Sequence, residues 1–187
     1  MTDEINTAKK AIRKAIAIRK KERTPLELED LSTRITRHLE QTEMFQSASC
    51  IAFYHALPGE VQTQECIERW YRQKQILLPL VEGNDLRLLL YEGPASVHMG
   101  AFVILEPDSN GKEISGEKID LIIVPGVAFD NDKNRLGRGK GFYDRLLSSL
   151  NAPTIGVAYQ FQMIPEVPTN DLDKKMDYII TENGILR

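Results

Sequence analysis

The sequence has few of the residues on which metal-based or covalent catalysis usually depends. Its 187 residues include two cysteines and three histidines. Cys50 and Cys66 cannot form a disulfide framework or a zinc site by themselves, and His38, His55 and His98 do not have metal-ligand spacing. No serine lies in a G-x-S-x-G motif, and neither cysteine has a catalytic signature. The sequence therefore gives no support for covalent catalysis by a protein nucleophile.

Long apolar runs are also missing. No stretch approaches the roughly 20 consecutive apolar residues that a membrane-spanning helix needs. Hydrophobic residues make up 42% of the chain and charged residues 27%, which is typical of a soluble globular protein. We see no internal repeat and no low-complexity segment. We therefore expect a single domain over residues 1–187, in the cytoplasm, where free thiols stay reduced.

The net charge is only −3, but it is unevenly distributed. Residues 1–23 carry eight Lys or Arg against three acidic residues, so this segment is +5 and the remainder is −8. Asp3, Glu4 and the lack of serine in the segment argue against a transit peptide. Because the rest of the chain is acidic, a local anionic partner is favoured over a nucleic-acid-coating surface. A nucleic-acid binder that uses the first helix stays an alternative.

The alternation of helical and strand-like patterns predicts an α/β domain with a mostly parallel sheet. Apolar residues from Ile5 to Ile16 recur at helical spacing. Thr24-Pro25-Leu26-Glu27 is a capping box that begins a second helix, and Thr63 could cap a third. Residues 106–118 are predicted to be a loop. Strands are predicted at residues 50–54, 76–81, 85–91, 119–124, 153–159 and 177–181, the second and third of them as a hairpin.

The most informative segment is Asn134-Arg135-Leu136-Gly137-Arg138-Gly139-Lys140-Gly141-Phe142-Tyr143-Asp144-Arg145. Three alternating glycines allow close approach of the backbone to a ligand, and the apolar pattern that follows predicts a helix. Such a turn directs amide groups and the positive end of the helix dipole at an anion. The spacing is neither that of a P-loop nor that of the dinucleotide motif. With four cations in the segment, we interpret it as a polyphosphate site, the alternative being a solvated surface turn.

Two acidic residues are candidates for magnesium binding. Asp144, in the first turn of the predicted helix, would repel a polyphosphate unless a cation lay between them, and Mg²⁺ bridges phosphates with few protein carboxylates. Compensation of the helix dipole is the alternative. Asp173, in the loop between the last two strands, could supply a second carboxylate or be a solvated acid.

Further candidates lie near the start of the chain and after the first strand. Lys9 and Arg13 share a helical face, as do Lys10 and Lys14, and either pair could close over phosphates or be solvated. Glu60, beside a glycine in a loop, could accept hydrogen bonds from a cyclic guanidine-like edge such as that of a pterin, or be a surface acid.

Five blocks of the sequence match one known family, nearly from end to end. They are Lys9-Lys10-Ala11-Ile12-Arg13, Gly59-Glu60-Val61-x-Thr63, Ile104-Leu105-Glu106-Pro107, Pro125-Gly126-Val127-Ala128-Phe129-Asp130 and the segment from Asn134 to Asp144. On these blocks the chain resembles the 5-formyltetrahydrofolate cyclo-ligases, also called 5,10-methenyltetrahydrofolate synthetases. Phe142 stands where the family commonly has a tyrosine.

The resemblance implies a three-layer α/β/α sandwich, usually monomeric, that closes 5-formyltetrahydrofolate to 5,10-methenyltetrahydrofolate. ATP would be the co-substrate and Mg²⁺ the cofactor, with release of ADP and phosphate and with no nucleic-acid or membrane partner. A phosphosugar-binding or acyl-transfer enzyme of similar architecture, without ATP turnover, is the alternative enzyme.

The resemblance also implies roles for individual residues. Lys140 and Arg138 would be catalytic, and Asp144 and Asp173 would serve magnesium. Substrate contacts would come from His55, Glu60, Arg138, Gly139, Lys140, Gly141 and Phe142. ATP contacts would come from Lys9, Lys10, Arg13, Arg135, Leu136, Gly137, Arg138, Gly139, Lys140, Gly141, Phe142 and Tyr143.

Overall fold

The structure, a computed structural model, describes residues 2–100 and 105–186. Ile104 of the third family block therefore lies outside the described residues. The helices are α1 (Thr2–Lys21), α2 (Pro25–Glu40), α3 (Glu43–Ser47), α4 (Gln64–Trp70) and α5 (Phe142–Ser148). The strands are β1 (Cys50–Ala52), β2 (Gln75–Glu82), β3 (Asp85–Leu90), β4 (Val97–Met99), β5 (Leu105–Pro107), β6 (Leu121–Pro125), β7 (Ala128–Phe129), β8 (Arg135–Leu136), β9 (Thr154–Val157), β10 (Tyr178–Thr181) and β11 (Gly184–Leu186).

A seven-stranded sheet in the order β11-β10-β9-β6-β1-β2-β3 is the centre of the fold. The five inner strands are parallel, and the two edge strands are antiparallel to their neighbours. From β1 the chain proceeds outward to β2, and it then returns to β6 on the other side of β1 before reaching β9 and β10. The order of strands therefore reverses between β1 and β6, and in such sheets ligands bind beyond the carboxyl ends of the strands at this point.

Side chains of the inner strands alternate between two buried clusters, one on each face of the sheet. Ile51 and Ile123 lie in the cluster with residues of α2, α3 and α4. Ala52 and Val124, their neighbours in sequence, lie in the cluster with residues of α5. Because successive strand residues point to opposite faces, each cluster takes every second residue. The predicted mostly parallel sheet between two helical layers is confirmed.

Helix α1 lies apart from both layers and packs on the β7–β8 hairpin. Ile16 is buried in a small third cluster with Ala128, Leu136 and Val167. This hairpin follows β6 directly, so α1 is held beside the carboxyl end of the sheet. Among the described residues, none of the helices combines the length and hydropathy that crossing a membrane requires.

Several local predictions hold, and several need correction. Both hydrogen bonds of the predicted capping box at Thr24 are present. Strand β1 ends two residues earlier than predicted, since Tyr54 turns into the following loop and its hydroxyl donates to the Val61 carbonyl at 2.9 Å. The Thr63 hydroxyl donates to the Tyr54 carbonyl instead of capping α4. The predicted loop 106–118 includes the end of β5, which pairs with β4.

One buried carboxylate ties the β7–β8 hairpin together. Asp130 is 1% exposed. Its Oδ1 accepts from the backbone N–H of Asp132 at 3.0 Å and of Asn134 at 2.9 Å. Its Oδ2 accepts from Asn134 Nδ2 at 2.9 Å and from the Val167 N–H at 2.8 Å. Asp130 therefore joins the hairpin turn to the segment that packs beneath α1.

We expect Asp130→Ala to lower the free energy of unfolding by about 3 kcal/mol or more, because several buried donors lose their acceptor together. Asp132→Ala is the matched control, since the Asp132 side chain is exposed and makes no hydrogen bond to any described residue. It should cost less than about 0.5 kcal/mol. Urea denaturation of both variants tests this expectation, and equal midpoints would contradict it.

Candidate active site

A cleft of about 310 Å³ lies where the strand order reverses. Helix α1 forms one wall, and the loops that follow β1 and β6 form the others. The α1 residues in the wall are at positions i, i+3, i+4 and i+7, so they form one stripe on the helix. The cleft is lined by Arg13, Ile16, Ala17, Lys20, Pro58, Glu60, Gly126, Val127 and Arg138.

A larger cleft of about 510 Å³ lies at the opposite end of the sheet, where β6 and β9 begin. Its lining includes none of the predicted site residues. The carboxylate of Asp120 in this cleft already accepts the backbone N–H groups of Ser49 and Cys50, at 2.8 and 2.9 Å. We therefore assign function to the smaller cleft, where the predicted residues converge.

The glycine-rich loop has the backbone conformation for which glycine is needed. Gly139 has a φ of 99° and Gly141 a φ of 70°, and α5 begins directly after Gly141, as predicted. A Cβ on Gly139 would lie 3.3 Å from Arg13 Nη2, so the loop passes close to α1. The positive φ values and this close approach both disfavour any other residue type.

Two cations of α1 connect the helix to the site. Arg13 Nε donates to the Gly137 carbonyl at 2.8 Å. Lys9 is 6% exposed, and its Nζ lies 2.5 Å from Asp173 Oδ2. Of the two predicted pairs, the structure thus turns Lys9 and Arg13 toward the site. Lys10 and Lys14 are exposed and make no hydrogen bond or ion pair within residues 2–100 and 105–186.

Arg135 is a buried part of the framework. Its side chain is 3% exposed, and Nη2 donates to Asp144 Oδ1 at 2.8 Å. Nη1 donates to the Pro125 carbonyl at 3.3 Å, and the guanidinium carbon lies 5.5 Å from the centre of the Tyr143 ring. The Lys174 N–H reaches the same Asp144 oxygen at 3.4 Å, which brings the Asp173 loop beside α5.

Glu60 and Arg138 form an ion pair across the cleft. Arg138 Nε and Nη2 each lie 2.9 Å from Glu60 Oε1, while Oε2 accepts the Leu57 N–H at 3.0 Å. Burial raises the pKa of Tyr54 and of Tyr143, and the nearby Glu60 carboxylate raises both further. Both phenols are therefore neutral at physiological pH and cannot act as bases there.

The remaining predicted residues differ in their surroundings. Lys140 is exposed, and its ammonium has no hydrogen-bond or ion-pair partner among the described residues. Phe142 is half-buried, with the guanidinium carbon of Arg145 5.4 Å from its ring centre. His55 packs against Tyr91 at a ring distance of 6.2 Å and does not line the cleft. Burial lowers the pKa of His55 from 6.5, so this imidazole is neutral at pH 7.

Lys20 is not among the predicted site residues, and the sequence groups Arg145 with the other three cations of the glycine-rich segment. Lys20 lines the cleft seven residues after Arg13, a spacing that places both on one helical face. Arg145 donates outside the cleft, to Asp85 Oδ1 at 3.1 Å and to the Asn84 carbonyl. The buried environment of Arg135 and the partners of Arg145 depend on chain segments far away in sequence, and no local pattern indicates them.

The two predicted magnesium residues each offer one carboxylate oxygen, which suits a Mg²⁺ ion that phosphate oxygens also bind. Asp144 Oδ1 faces Arg135, and Asp173 Oδ2 faces Lys9. Within the described residues, the other oxygen of each carboxylate accepts no hydrogen bond, and there is no group of three or more potential ligands. Mg²⁺ in phosphoryl-transfer sites usually takes one or two carboxylates together with phosphate oxygens and water.

We expect the Arg135–Asp144 pair to respond asymmetrically to mutation. Asp144→Ala leaves a buried guanidinium without its counter-ion and should lower the free energy of unfolding by about 3 kcal/mol. Arg135→Met leaves the Asp144 carboxylate, whose side chain is 22% exposed and can be hydrated. We therefore expect this variant to lower the free energy of unfolding by about 1 kcal/mol. The double variant should lose less free energy of unfolding than the sum of the losses of the two single variants. Urea denaturation measures all three, and equal, additive losses would refute this account.

Comparison with known proteins identifies the family of the chain. A model of the 5-formyltetrahydrofolate cyclo-ligase family matches residues 5–182. The 5-formyltetrahydrofolate cyclo-ligase of Mus musculus is 27% identical over 195 residues, with 96% of each chain covered. That of Haemophilus influenzae is 31% identical, with 80% of this chain and 84% of the relative covered.

Solved structures of the same enzyme class are similar over nearly the whole chain. The 5,10-methenyltetrahydrofolate synthetase of Aquifex aeolicus has a TM-score of 0.87 and 35% identity, covering 96% of this chain and 92% of that one. The Mycoplasma pneumoniae synthetase has a TM-score of 0.74 and 26% identity, covering 93% and 98%. Because the family model matches nearly the whole length of the chain, the chain belongs to the 5-formyltetrahydrofolate cyclo-ligase family.

Proposed function

We propose that the protein closes 5-formyltetrahydrofolate to 5,10-methenyltetrahydrofolate with ATP and Mg²⁺, releasing ADP and phosphate. The proposal rests on one observation: features that suit a polyphosphate and features that suit a heterocycle lie at the same cleft. The glycine-rich loop with the α1 cations suits a polyphosphate. The Glu60–Arg138 pair, at the same cleft, suits a neutral heterocycle with both donors and acceptors.

ATP binds at the end of the cleft nearest the glycine-rich loop. Arg13 and Lys9 hold α1 against this loop and against Asp173. Exposed Lys140, which has no partner among the described residues, is free to neutralise the transferred phosphoryl group. Further ATP contacts come from Lys10 and from the other residues of the segment 135–143. Asp144 and Asp173 would hold magnesium together with phosphate oxygens, and the ion would supply neutralisation of phosphate charge.

The folate binds at the end of the cleft where Glu60 and Arg138 meet. A carboxylate can accept two parallel N–H bonds from the amino-pyrimidinone edge of a pterin. Residues Gly139, Lys140, Gly141 and Phe142 of the loop lie between this end and the nucleotide. His55, neutral and packed on Tyr91, shapes the far side of the loop that contains Glu60.

The chemistry needs positioning and charge neutralisation, and it needs no protein nucleophile. The formyl oxygen attacks the γ-phosphorus of ATP, and the bond from this phosphorus to the bridging oxygen breaks, releasing ADP. The folate N10 then attacks the activated formyl carbon and loses its proton to solvent, and the carbon–oxygen bond breaks to release phosphate. Lys140 and Arg138 stabilise charge on the transferred group.

The proposal extends to the setting of the reaction. The partners are small molecules, a reduced folate and ATP, with no nucleic acid and no membrane. The protein acts as a monomer in the cytoplasm. Gel filtration with light scattering tests the oligomeric state, and salt-dependent nucleic-acid binding would favour the alternative use of the basic helix.

Ultraviolet absorbance tests the reaction directly. Purified protein is mixed with 5-formyltetrahydrofolate, Mg²⁺ and ATP, with parallel samples that lack one component. We expect a rise in methenyltetrahydrofolate absorbance that requires both ATP and Mg²⁺. If the folded protein gives no rise, the reaction is wrong, and a phosphosugar-binding or acyl-transfer enzyme becomes the better interpretation.

We expect Lys140→Ala to reduce kcat/KM by about 100-fold or more, because one donor to developing charge is lost. Lys118→Ala is the control, since Lys118 is an exposed lysine outside the cleft. The free energy of unfolding should be unchanged in both variants, as neither ammonium has a partner within the described residues. Unimpaired turnover of Lys140→Ala would remove this residue from the mechanism.

We expect Asp144→Asn to raise the Mg²⁺ concentration for half-maximal activity by about tenfold or more. Asparagine keeps an oxygen that can accept from Arg135, so the fold is better preserved than with alanine. Asp171→Asn, at an exposed residue of the neighbouring loop, is the control. A magnesium titration that matches the wild type would reject this role for Asp144.

A further inference from the structure

Lys20 is a cleft residue for which neither the family blocks nor the mechanism above gives a role. It lies at the end of α1, and its aliphatic chain crosses the open face of Gly59. A Cβ on Gly59 would lie 2.3 Å from Lys20 Cδ and 3.0 Å from Nζ. Gly59 has a φ of 76°, so the loop conformation and the missing side chain together make room for this lysine.

The ammonium of Lys20 lies in a specific electrostatic setting. It is partly buried beside Glu60 and Arg138, and burial and Arg138 lower its pKa while Glu60 raises it. Within residues 2–100 and 105–186 it makes no hydrogen bond and no ion pair at 4 Å or less. Arg138, in contrast, directs two of its nitrogens at Glu60 Oε1. Lys20 is thus the cation at this end of the cleft whose donors are all available.

The position of Lys20 favours contact with the folate over contact with the nucleotide. At a rise of 1.5 Å per residue, seven residues separate Lys20 from Arg13 by about 10 Å along α1. Arg13 donates to the carbonyl of Gly137, at the start of the glycine-rich loop, whereas Lys20 lies against Gly59 and beside the Arg138 side chain that pairs with Glu60. The two cations therefore serve opposite ends of the cleft.

The chemistry of a pterin edge requires a partner of this kind. Its amino group and ring N–H are donors, and the adjacent ring carbonyl is an acceptor, all on one edge. A carboxylate satisfies the two donors and leaves the carbonyl oxygen without a donor. A buried acceptor left unsatisfied is costly, so a cation beside the carboxylate would complete recognition.

We propose that Lys20 is a specificity-determining residue, whose ammonium donates a hydrogen bond to the pterin carbonyl next to the two groups that Glu60 accepts. This inference rests on the proposed function, since it assigns a contact to the same substrate. Gly59 has a matching role, because its bare backbone lets the lysine chain lie across the loop and reach the cleft.

The test compares Lys20→Met with Lys21→Met. Methionine keeps most of the chain that covers Gly59 and removes the charge, and Lys21 is the exposed neighbour on another helical face. KM is measured for 5-formyltetrahydrofolate, for ATP and for 5-formyltetrahydropteroate, which lacks the glutamate. Calorimetry gives the Kd of 5-formyltetrahydrofolate without ATP.

We expect Lys20→Met to raise KM about 10- to 100-fold for both the folate and the pteroate, with the KM for ATP unchanged. The Kd for the folate should rise equally, and Lys21→Met should match the wild type. A loss seen only with the glutamate-bearing substrate would place Lys20 on the tail carboxylates and overturn the proposal. A changed KM for ATP, or no change at all, would also overturn it.

Failure of the proposed function gives a different result. In that case the wild-type protein itself neither binds nor converts the folate, whatever residue stands at position 20. Failure of the Lys20 assignment alone leaves wild-type turnover intact and removes the difference between the two methionine variants. Equal urea midpoints for both variants exclude unfolding as the cause of any loss.

Discussion

The reversal of strand order between β1 and β6 is the constraint on which the site depends. At this point the loops from two neighbouring strands leave in different directions, and a crevice opens between them. The loop after β1 carries Glu60, and the chain after β6 passes through the β7–β8 hairpin into the glycine-rich loop. Helix α1 then covers the crevice from outside, held by Ile16 and by the polar contacts of Arg13 and Lys9.

The cations of the site divide into structural and available groups. Arg135 is buried against Asp144, and Lys9 against Asp173, so each brings its own counter-ion into the low-dielectric interior. A buried charge without such a partner would be expensive. The ammonium groups of Lys140, on the glycine-rich loop, and of Lys20, beside Gly59, have no hydrogen-bond or ion-pair partner among the described residues. The ion pairs of Arg135 and Lys9 thus hold the framework together, while Lys140 and Lys20 are available to ligands.

Much of the framework could be predicted from the sequence because its signals are local. The capping box at Thr24 and the helix after Gly141 each lie within a few adjacent residues. Two of the site predictions also have a local basis, the Lys9 and Arg13 face of α1 and the glycine-rich loop. For these elements, spacing along the chain is enough to indicate the structure.

The remainder depends on contacts between distant segments. Strands β7 and β8 have two residues each, too few to show a period, and Asp130 ties their turn to Val167, a residue far along the chain. The importance of Lys20 depends on Gly59, a residue in another loop, and no periodicity of α1 reveals it. Such contacts can be predicted only when the positions of both segments are known, and the spacing of residues within one segment does not give the position of the other.

Helix α1 sets the distance between the two ends of the cleft. Lys9, Arg13, Ile16 and Lys20 are spaced by four, three and four residues, which keeps them on one face of the helix. Because all four residues belong to one helix, their contacts to Asp173, Gly137, the hairpin and Gly59 depend on a single helical spacing. One inserted residue would rotate every later side chain by about 100°. The same helix that meets the glycine-rich loop therefore also determines which group faces the loop of Gly59 and Glu60.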